Sequence, residues 1–209
     1  MGRMICFDLG GVLIHITHRW HEAAQHAGVS ISEAVPIDAD LIDAPMFLPY
    51  QSGLVGDAEY LDSLGLYLGE VGREAAARVH NHIMLWQHEQ VEDLVRTIQE
   101  NGFKAGCLSN TNELHWEEML LSDRFPVIPR LDLRMASHIL KVQKPDTAAY
   151  REFERESGFT GHEIVFFDDN QSNLDASAQH GWQTWKIDPN LPTADQIRAG
   201  LNKLTDLQF

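Results

Sequence analysis

Cysteine is scarce: the 209 residues hold two, Cys6 and Cys107. Two thiols suit a reduced compartment rather than a disulfide-stapled scaffold. Each lies two residues before the polar residue that ends an apolar run, the place of a small buried hydrophobe rather than of a metal ligand or disulfide partner. Basic charge is also short, 16 Lys and Arg against 31 Asp and Glu, for a formal net charge of −15. That excess favours solubility and argues against nucleic acid or an anionic membrane as partner. No apolar run approaches the ~18 residues of a membrane span. The first strand-like run begins at Arg3, so no signal peptide is expected and the expected location is cytoplasmic. Internal repeats and low-complexity tracts are absent. At 44% hydrophobic and 22% charged, the composition excludes disordered and collagen-like chains and fits one large core, or a core carrying an insertion.

What is present is an alternation of short apolar runs with helical patterns. The runs are Met4 to Phe7, Ala105 to Leu108 and Ile164 to Phe167, with weaker ones at Leu131 to Ala136 and Trp182 to Ile187. Between them, Val91, Leu94, Val95 and Ile98 recur at i, i+3, i+4 and i+7 before Gly102, which predicts an amphipathic helix and its stop. Tyr150 and Phe153 before Gly158, and Leu174 and Ala178 before Gly181, predict two more. A last helix is expected from Thr193 to Leu204, capped by Thr193. This order predicts an α/β fold, a Rossmann-like parallel sheet sandwiched by helices. From Leu13 to about Gln90 the alternation breaks, no clear strand is seen, and a helical insertion is expected. The core then comprises residues 1–15 and 91–209, and the inserted cap residues 16–90.

In parallel α/β sheets, ligands bind beyond the carboxyl ends of the strands. The three strong runs end in Asp8 with Gly10-Gly11, in Ser109-Asn110-Thr111-Asn112, and in Asp168-Asp169-Asn170. If these strands are neighbours, three carboxylates and a hydroxyl share one crevice. Carboxylates that close are costly without a cation, and oxygen ligands select Mg²⁺. Lys144 directly precedes Pro145, a residue suited to the first turn of a helix. A cation there opposes the helix dipole, and a bound anion would account for it.

Four short motifs occur in order: Phe7-Asp8-Leu9-Gly10-Gly11-Val12, Leu108-Ser109-Asn110, Lys144-Pro145-Asp146 with Tyr150, and Phe167-Asp168-Asp169 with Asn173 and Ala176. In order and spacing they resemble the haloacid dehalogenase superfamily of aspartyl-phosphate-forming hydrolases, over essentially the whole chain. The wording is most similar to the α-D-glucose-1-phosphate phosphatase branch, near the phosphatase domain of soluble epoxide hydrolase. The helical cap, with Tyr50-Gln51-Ser52-Gly53 and Tyr60, fits that branch too. The resemblance implies that Asp8 is the nucleophile and that Mg²⁺ is held by Asp8, the Gly10 carbonyl and Asp168, with Asp169 adjacent. It implies that Ser109 and the Asn110 N–H bind phosphoryl oxygens and that Lys144 balances charge and holds Asp8. The expected activity is Mg²⁺-dependent hydrolysis of a small phosphate monoester, a sugar phosphate such as a sugar 1-phosphate, by a monomer or homodimer.

One position departs from the pattern. Many phosphatases of the family carry a second Asp two residues after the nucleophile, as the acid that protonates the leaving alkoxide; here it is Gly10. Such assistance is worth roughly 10²–10⁴ in rate. Three accounts are open: a leaving group that needs little protonation, a substitute such as His15, or a protein that binds phosphate esters and turns them over poorly. A metal-free dehalogenase also lacks that Asp, but has little use for the pair Asp168-Asp169. Singly, Asp8, Ser109 and Asp168 would read as helix caps or turn residues; together with Lys144 they do not. His15, His18, His21 and His26 do not meet the spacing of a zinc helix and are expected to be solvated or half-buried helix residues. The cap aromatics are expected to be mostly cap core, with Trp20 and Tyr50 the candidates for the mouth of the site.

Overall fold

The structure, a computed structural model, describes residues 2–205. Its elements are, in chain order, β1 (Met4–Phe7), β2 (Ile14–Ile16), α1 (Trp20–Ala27), α2 (Phe47–Gln51), α3 (Asp57–Tyr67), α4 (Arg73–Asn81), β3 (Met84–Gln87), α5 (Val91–Glu100), β4 (Lys104–Ser109), α6 (Glu113–Leu121), β5 (Leu133–Ala136), α7 (Ser137–Leu140), α8 (Thr147–Ser157), β6 (Ile164–Asp168), α9 (Gln171–Gln179), β7 (Gln183–Lys186) and α10 (Thr193–Leu204), with three short 3-10 turns.

Five strands pair in parallel in the order β5-β4-β1-β6-β7. The runs that the sequence marks most strongly take the three central places, as expected for strands covered on both faces. In register, Phe7 stands beside Cys107 on one side and Phe167 on the other. The same register sets Cys6 opposite Gly106, so the two cysteines point to opposite faces of the sheet. Both are buried and free, and burial pushes the Cys107 thiol up to about 12. Helix α5 buries the four residues that the periodicity picks out, each worth roughly 1.5–3 kcal/mol relative to exposure. Gly102 beyond it takes φ +81.

The inserted region forms its own apolar cluster, including Trp20, Phe47, Tyr50, Tyr60, Leu64 and Val79. Its aromatic centre is the stacked pair Tyr50 and Tyr60, with ring centroids 4.1 Å apart. Three details depart from the sequence reading. The stretch from Leu13 to Gln90 does contain strands, β2 and β3, which pair antiparallel as a two-stranded ribbon at its two ends. Three- and four-residue strands are too short to show a period. Pro192, not Thr193, precedes the first turn of α10, and the Thr193 hydroxyl is buried without a hydrogen-bond partner. Helix α8 starts at Thr147 with Asp146 as its cap, so Pro145 lies outside it and Lys144 is not a helix-terminal cation. Among the described residues, no helix is long and apolar enough to cross a membrane.

Candidate active site

Parallel pairing brings the carboxyl ends of β1, β4 and β6 side by side, and the chemistry collects there. The Asp8 N–H donates to the Phe167 carbonyl at 2.9 Å, tying the end of β1 to β6. Lys144 Nζ lies 3.1 Å from Asp8 Oδ1 and 2.8 Å from Asp168 Oδ2, with both the Lys144 and Asp168 side chains fully buried. Its counter-charges are therefore these carboxylates, rather than the anion at a helix end that the sequence suggests. Burial alone would lower the Lys144 ammonium, but the two carboxylates outweigh it and hold it above its ordinary value. The Leu9 N–H also donates to Asp8 Oδ1, at 2.7 Å. Oδ1 is thus held by two donors, and Oδ2 has none among the described residues.

Asp168 is held in place by three neighbours: Lys144, the Asn170 N–H (2.7 Å to Oδ1), and Asn173 Nδ2 (3.2 and 3.0 Å to its two oxygens). Tyr150 in turn donates its hydroxyl to the Asn173 carbonyl at 3.0 Å. Asn110 positions Lys144 through the backbone: its Nδ2 donates to the Lys144 carbonyl at 2.9 Å and its Oδ1 accepts the Lys144 N–H at 2.8 Å. Gly11 packs against Asp169; a Cβ there would meet Asp169 Oδ2 at 2.6 Å, and its φ of +72 favours glycine.

Asp8, Asp168 and Asp169 each present an oxygen within 4.8 Å of the others. Among the described residues this is the one group of three such side chains. Burial pushes the Asp8 carboxyl up, its two acidic neighbours push it further, and Lys144 opposes them, leaving it at about 7. Burial and Asp168 likewise raise Asp169 to about 6. One ammonium does not balance three carboxylates in so small a volume, and an all-oxygen donor set fits a hard divalent cation.

Above this cluster is a cavity of ≈ 310 Å³. Asp8, Gly10, Ser109, Asn110 and Asp169 form its polar floor, and Ile14, Ile16, Leu41, Phe47, Ile83 and Met84 supply apolar wall. The structure thus brings together Asp8, Gly10, Ser109, Asn110, Lys144, Asp168 and Asp169. The three cap candidates fall elsewhere. His15 does not line the cavity; alternation along β2 turns it away, against Trp86 and His88 (ring centroids at 5.2 and 3.5 Å). Trp20 and Tyr50 are buried in the cap core, Tyr50 donating to Asp57 Oδ1 at 2.8 Å, and Phe47 takes the wall position in their place. His15 lies on a strand and His18 in the loop after it, so neither is the helix residue that the sequence suggests.

Sequence reasoning missed Phe47 and His115, which line the cavity, and gave no role there to His18 or Thr111, which line it too. No local signal pointed to them: β2, Ile14–Ile16, is too short to display a period that would place His18 on the cavity face.

A family model described as haloacid dehalogenase-like hydrolase matches residues 3–181. The chain belongs to that family. Among solved structures it is similar to a family enzyme from Bacteroides thetaiotaomicron in its magnesium complex, at 22% identity and TM-score 0.80, covering 94% of this chain and 98% of that one. Another structure of the same enzyme holds magnesium and inorganic phosphate. A predicted HAD-like family hydrolase from Porphyromonas gingivalis matches at 25% identity and TM-score 0.78, over 96% and 98% of the two chains. The L-2-haloacid dehalogenase of Xanthobacter autotrophicus matches at 15% and 0.61, over 90% and 78%. As a haloacid dehalogenase-like hydrolase, this chain has a Rossmann-type sheet, and its candidate active site lies at the carboxyl ends of the strands.

Proposed function

We propose that the chain is a Mg²⁺-dependent phosphatase that hydrolyses a small phosphate monoester through a phosphoaspartyl intermediate on Asp8. The observation that carries this reading is the trio of carboxylates around one buried ammonium on the floor of a cavity. Asp8, Asp168 and the Gly10 carbonyl would hold the metal, with Asp169 beside them. The magnesium and phosphate held by the similar Bacteroides enzyme support this. Bound there, Mg²⁺ would offset the charge of the phosphoryl oxygens.

The residues of the chain then divide the work. Oδ2 of Asp8, the oxygen without a donor, attacks phosphorus; the P–O bond to the alcohol breaks and the alkoxide departs. Water next attacks phosphorus, the bond to Asp8 breaks, and phosphate leaves. Ser109 and the Asn110 N–H would bind phosphoryl oxygens, and Lys144 opposes protonation of Asp8 and orients it.

The finer reading is a sugar phosphate, with a sugar 1-phosphate favoured because an anomeric oxygen leaves with less need of a proton and Gly10 supplies none. The motif wording, similar to the α-D-glucose-1-phosphate phosphatase branch, supports the same choice. Residues 1–15 and 91–209 would be the catalytic core and 16–90 the cap that selects the substrate, a division that the separate apolar cluster of the cap supports. A small phosphorylated compound, not nucleic acid or membrane, is the partner proposed for a cytoplasmic monomer or homodimer.

The test is phosphate release from a panel of sugar phosphates with and without Mg²⁺, beside Asp8→Asn. Metal-dependent release, lost in Asp8→Asn and strongest for 1-phosphates, is expected. Metal-independent halide release from 2-haloacids would replace the reading with a dehalogenase. Phosphate binding without turnover of any ester would make the chain a binding or regulatory protein.

A further inference from the structure

The absence of a carboxylate at position 10 leaves two proton transfers without an owner. An easily expelled alcohol spares only the first of them. The second, removal of a proton from the attacking water, is the same whatever alcohol has left, because the phosphoaspartyl group no longer carries it.

Position 10 is bordered by the cavity-facing side of β2. A Cβ at Gly10 would stand 2.8 Å from Cδ1 of Ile16, the tip of that side chain. The Gly11 N–H donates to the Ile14 carbonyl at 2.8 Å, which fixes this run of chain over the Gly10-Gly11 turn. The run presents Ile14, Ile16 and His18 to the cavity. His15 faces Trp86 and His88 instead, and the Thr17 hydroxyl bonds Glu22. The alternation of an extended chain thus continues one residue pair past β2 and delivers an imidazole to the cavity face.

The other titratable groups on the cavity wall are committed. Asp8 and Asp169 belong to the carboxylate cluster. Asp40 Oδ1 caps the Ile42 N–H at 3.3 Å, and its Oδ2 lies 3.8 Å from Arg19. His115 uses both ring nitrogens, Nε2 donating to the His80 carbonyl at 2.9 Å and Nδ1 accepting from Asn112 Nδ2 at 3.3 Å. His18 is exposed, and its backbone is fixed by its carbonyl, which accepts the Leu41 N–H at 3.2 Å. Its ring makes no hydrogen bond, ion pair or aromatic contact among the described residues.

Resting on the phosphatase reading, we infer that His18 carries the proton in both half-reactions. In the first, the His18 imidazolium gives its proton to the departing alkoxide as the P–O bond breaks, leaving alcohol and neutral imidazole. In the second, the neutral imidazole takes a proton from water as the new P–O bond forms and Asp8 departs, restoring the imidazolium. His18 is an exposed residue of the cavity lining, whereas Asp8, Asn110 and Asp169 are half-buried on its floor.

The test compares wild type, His18→Gln and His15→Gln on 4-nitrophenyl phosphate, whose phenolate leaves unprotonated, and on an alkyl phosphate. kcat/KM reports the first transfer alone. His18→Gln is expected to lower kcat/KM for the alkyl ester by about 10²-fold or more, to leave that for the nitrophenyl ester within a few-fold, and to give a burst of one nitrophenolate per site before slow turnover. His15→Gln is expected to match wild type, and imidazole is expected to rescue His18→Ala. Equal alkyl-ester kcat/KM in wild type and His18→Gln overturns the inference while the phosphatase reading stands. A wild type that hydrolyses neither ester overturns both. The nitrophenyl burst shows that the variant is folded and its nucleophile intact.

Discussion

At the scale of single residues, Lys144 carries the electrostatics of the site. It is a buried ammonium between Asp8 and Asp168, and removing one member of a buried charge cluster leaves the others uncompensated, typically at a cost of 3–5 kcal/mol. Lys144→Met is therefore expected to lower stability by about that much at pH 8 and by less at pH 5, where the stranded carboxylates can take up protons, and to abolish turnover. Urea midpoints at the two pH values check the first statement; an equal loss at both would show that packing, not charge, is what Lys144 supplies. The residue was legible in the sequence because a lysine before proline in that motif has a family meaning. The resemblance implied its partner Asp8 as well; Asp168 was not foreseen as a partner, since it meets Lys144 only through the pairing of the strands.

At the scale of elements, α4 of the inserted region and α6 beyond it are joined by a buried chain of hydrogen bonds. His115 Nε2 faces the His80 carbonyl, so it carries the proton and its Nδ1 accepts from Asn112. The Asn112 Oδ1 then faces His80 Nε2 at 3.1 Å, which must donate, and His80 Nδ1 accepts from the Tyr60 hydroxyl at 2.8 Å. The two imidazoles stack at 4.0 Å. Both are fixed as neutral rings: burial lowers His115 to about 4 and, with His115 beside it, holds His80 well below its ordinary value. The unfolded chain binds these protons near pH 6.5 and the folded chain only much lower, so stability rises with pH across this window. It is complete above about 6.5 and lost as pH falls towards 4. For His115 the linked loss is about 3 kcal/mol. His115→Phe is expected to flatten the slope of the urea midpoint between pH 6.5 and 4; an unchanged slope would mean that other groups set it. None of this was visible in the sequence, where His80, Asn112 and His115 show no common spacing.

At the scale of the whole molecule, the charge of −15 sits uneasily with an anionic substrate, and the site resolves this locally. A divalent cation among Asp8, Asp168 and Asp169 would, with Lys144, cancel the three carboxylate charges on the floor of the cavity. Since it binds the folded chain and not the unfolded one, Mg²⁺ at a hundredfold excess over its Kd is expected to add about 2.7 kcal/mol of stability, a rise in Tm of roughly 5–10 °C for a chain of this length. Asp169→Asn is expected to shrink the shift. A wild-type Tm indifferent to Mg²⁺ would remove the metal from the proposed function.

The sequence by itself determined the alternation of strands and helices, the three central strands, and the polar residues at their ends, because burial on both faces demands continuous apolar runs whose termini then stand out. It also marked the inserted region, through the break in that pattern. Only the tertiary structure decided which side chains of that region reach the cavity. Along β2 a shift of one residue exchanges the two faces, so His15 and His18 differ in surroundings by parity that three strand residues are too few to display. Trp20, Phe47 and Tyr50 are equally apolar on paper, and the choice of Phe47 for the wall rests on how the cap helices pack, a contact between elements that no local pattern encodes.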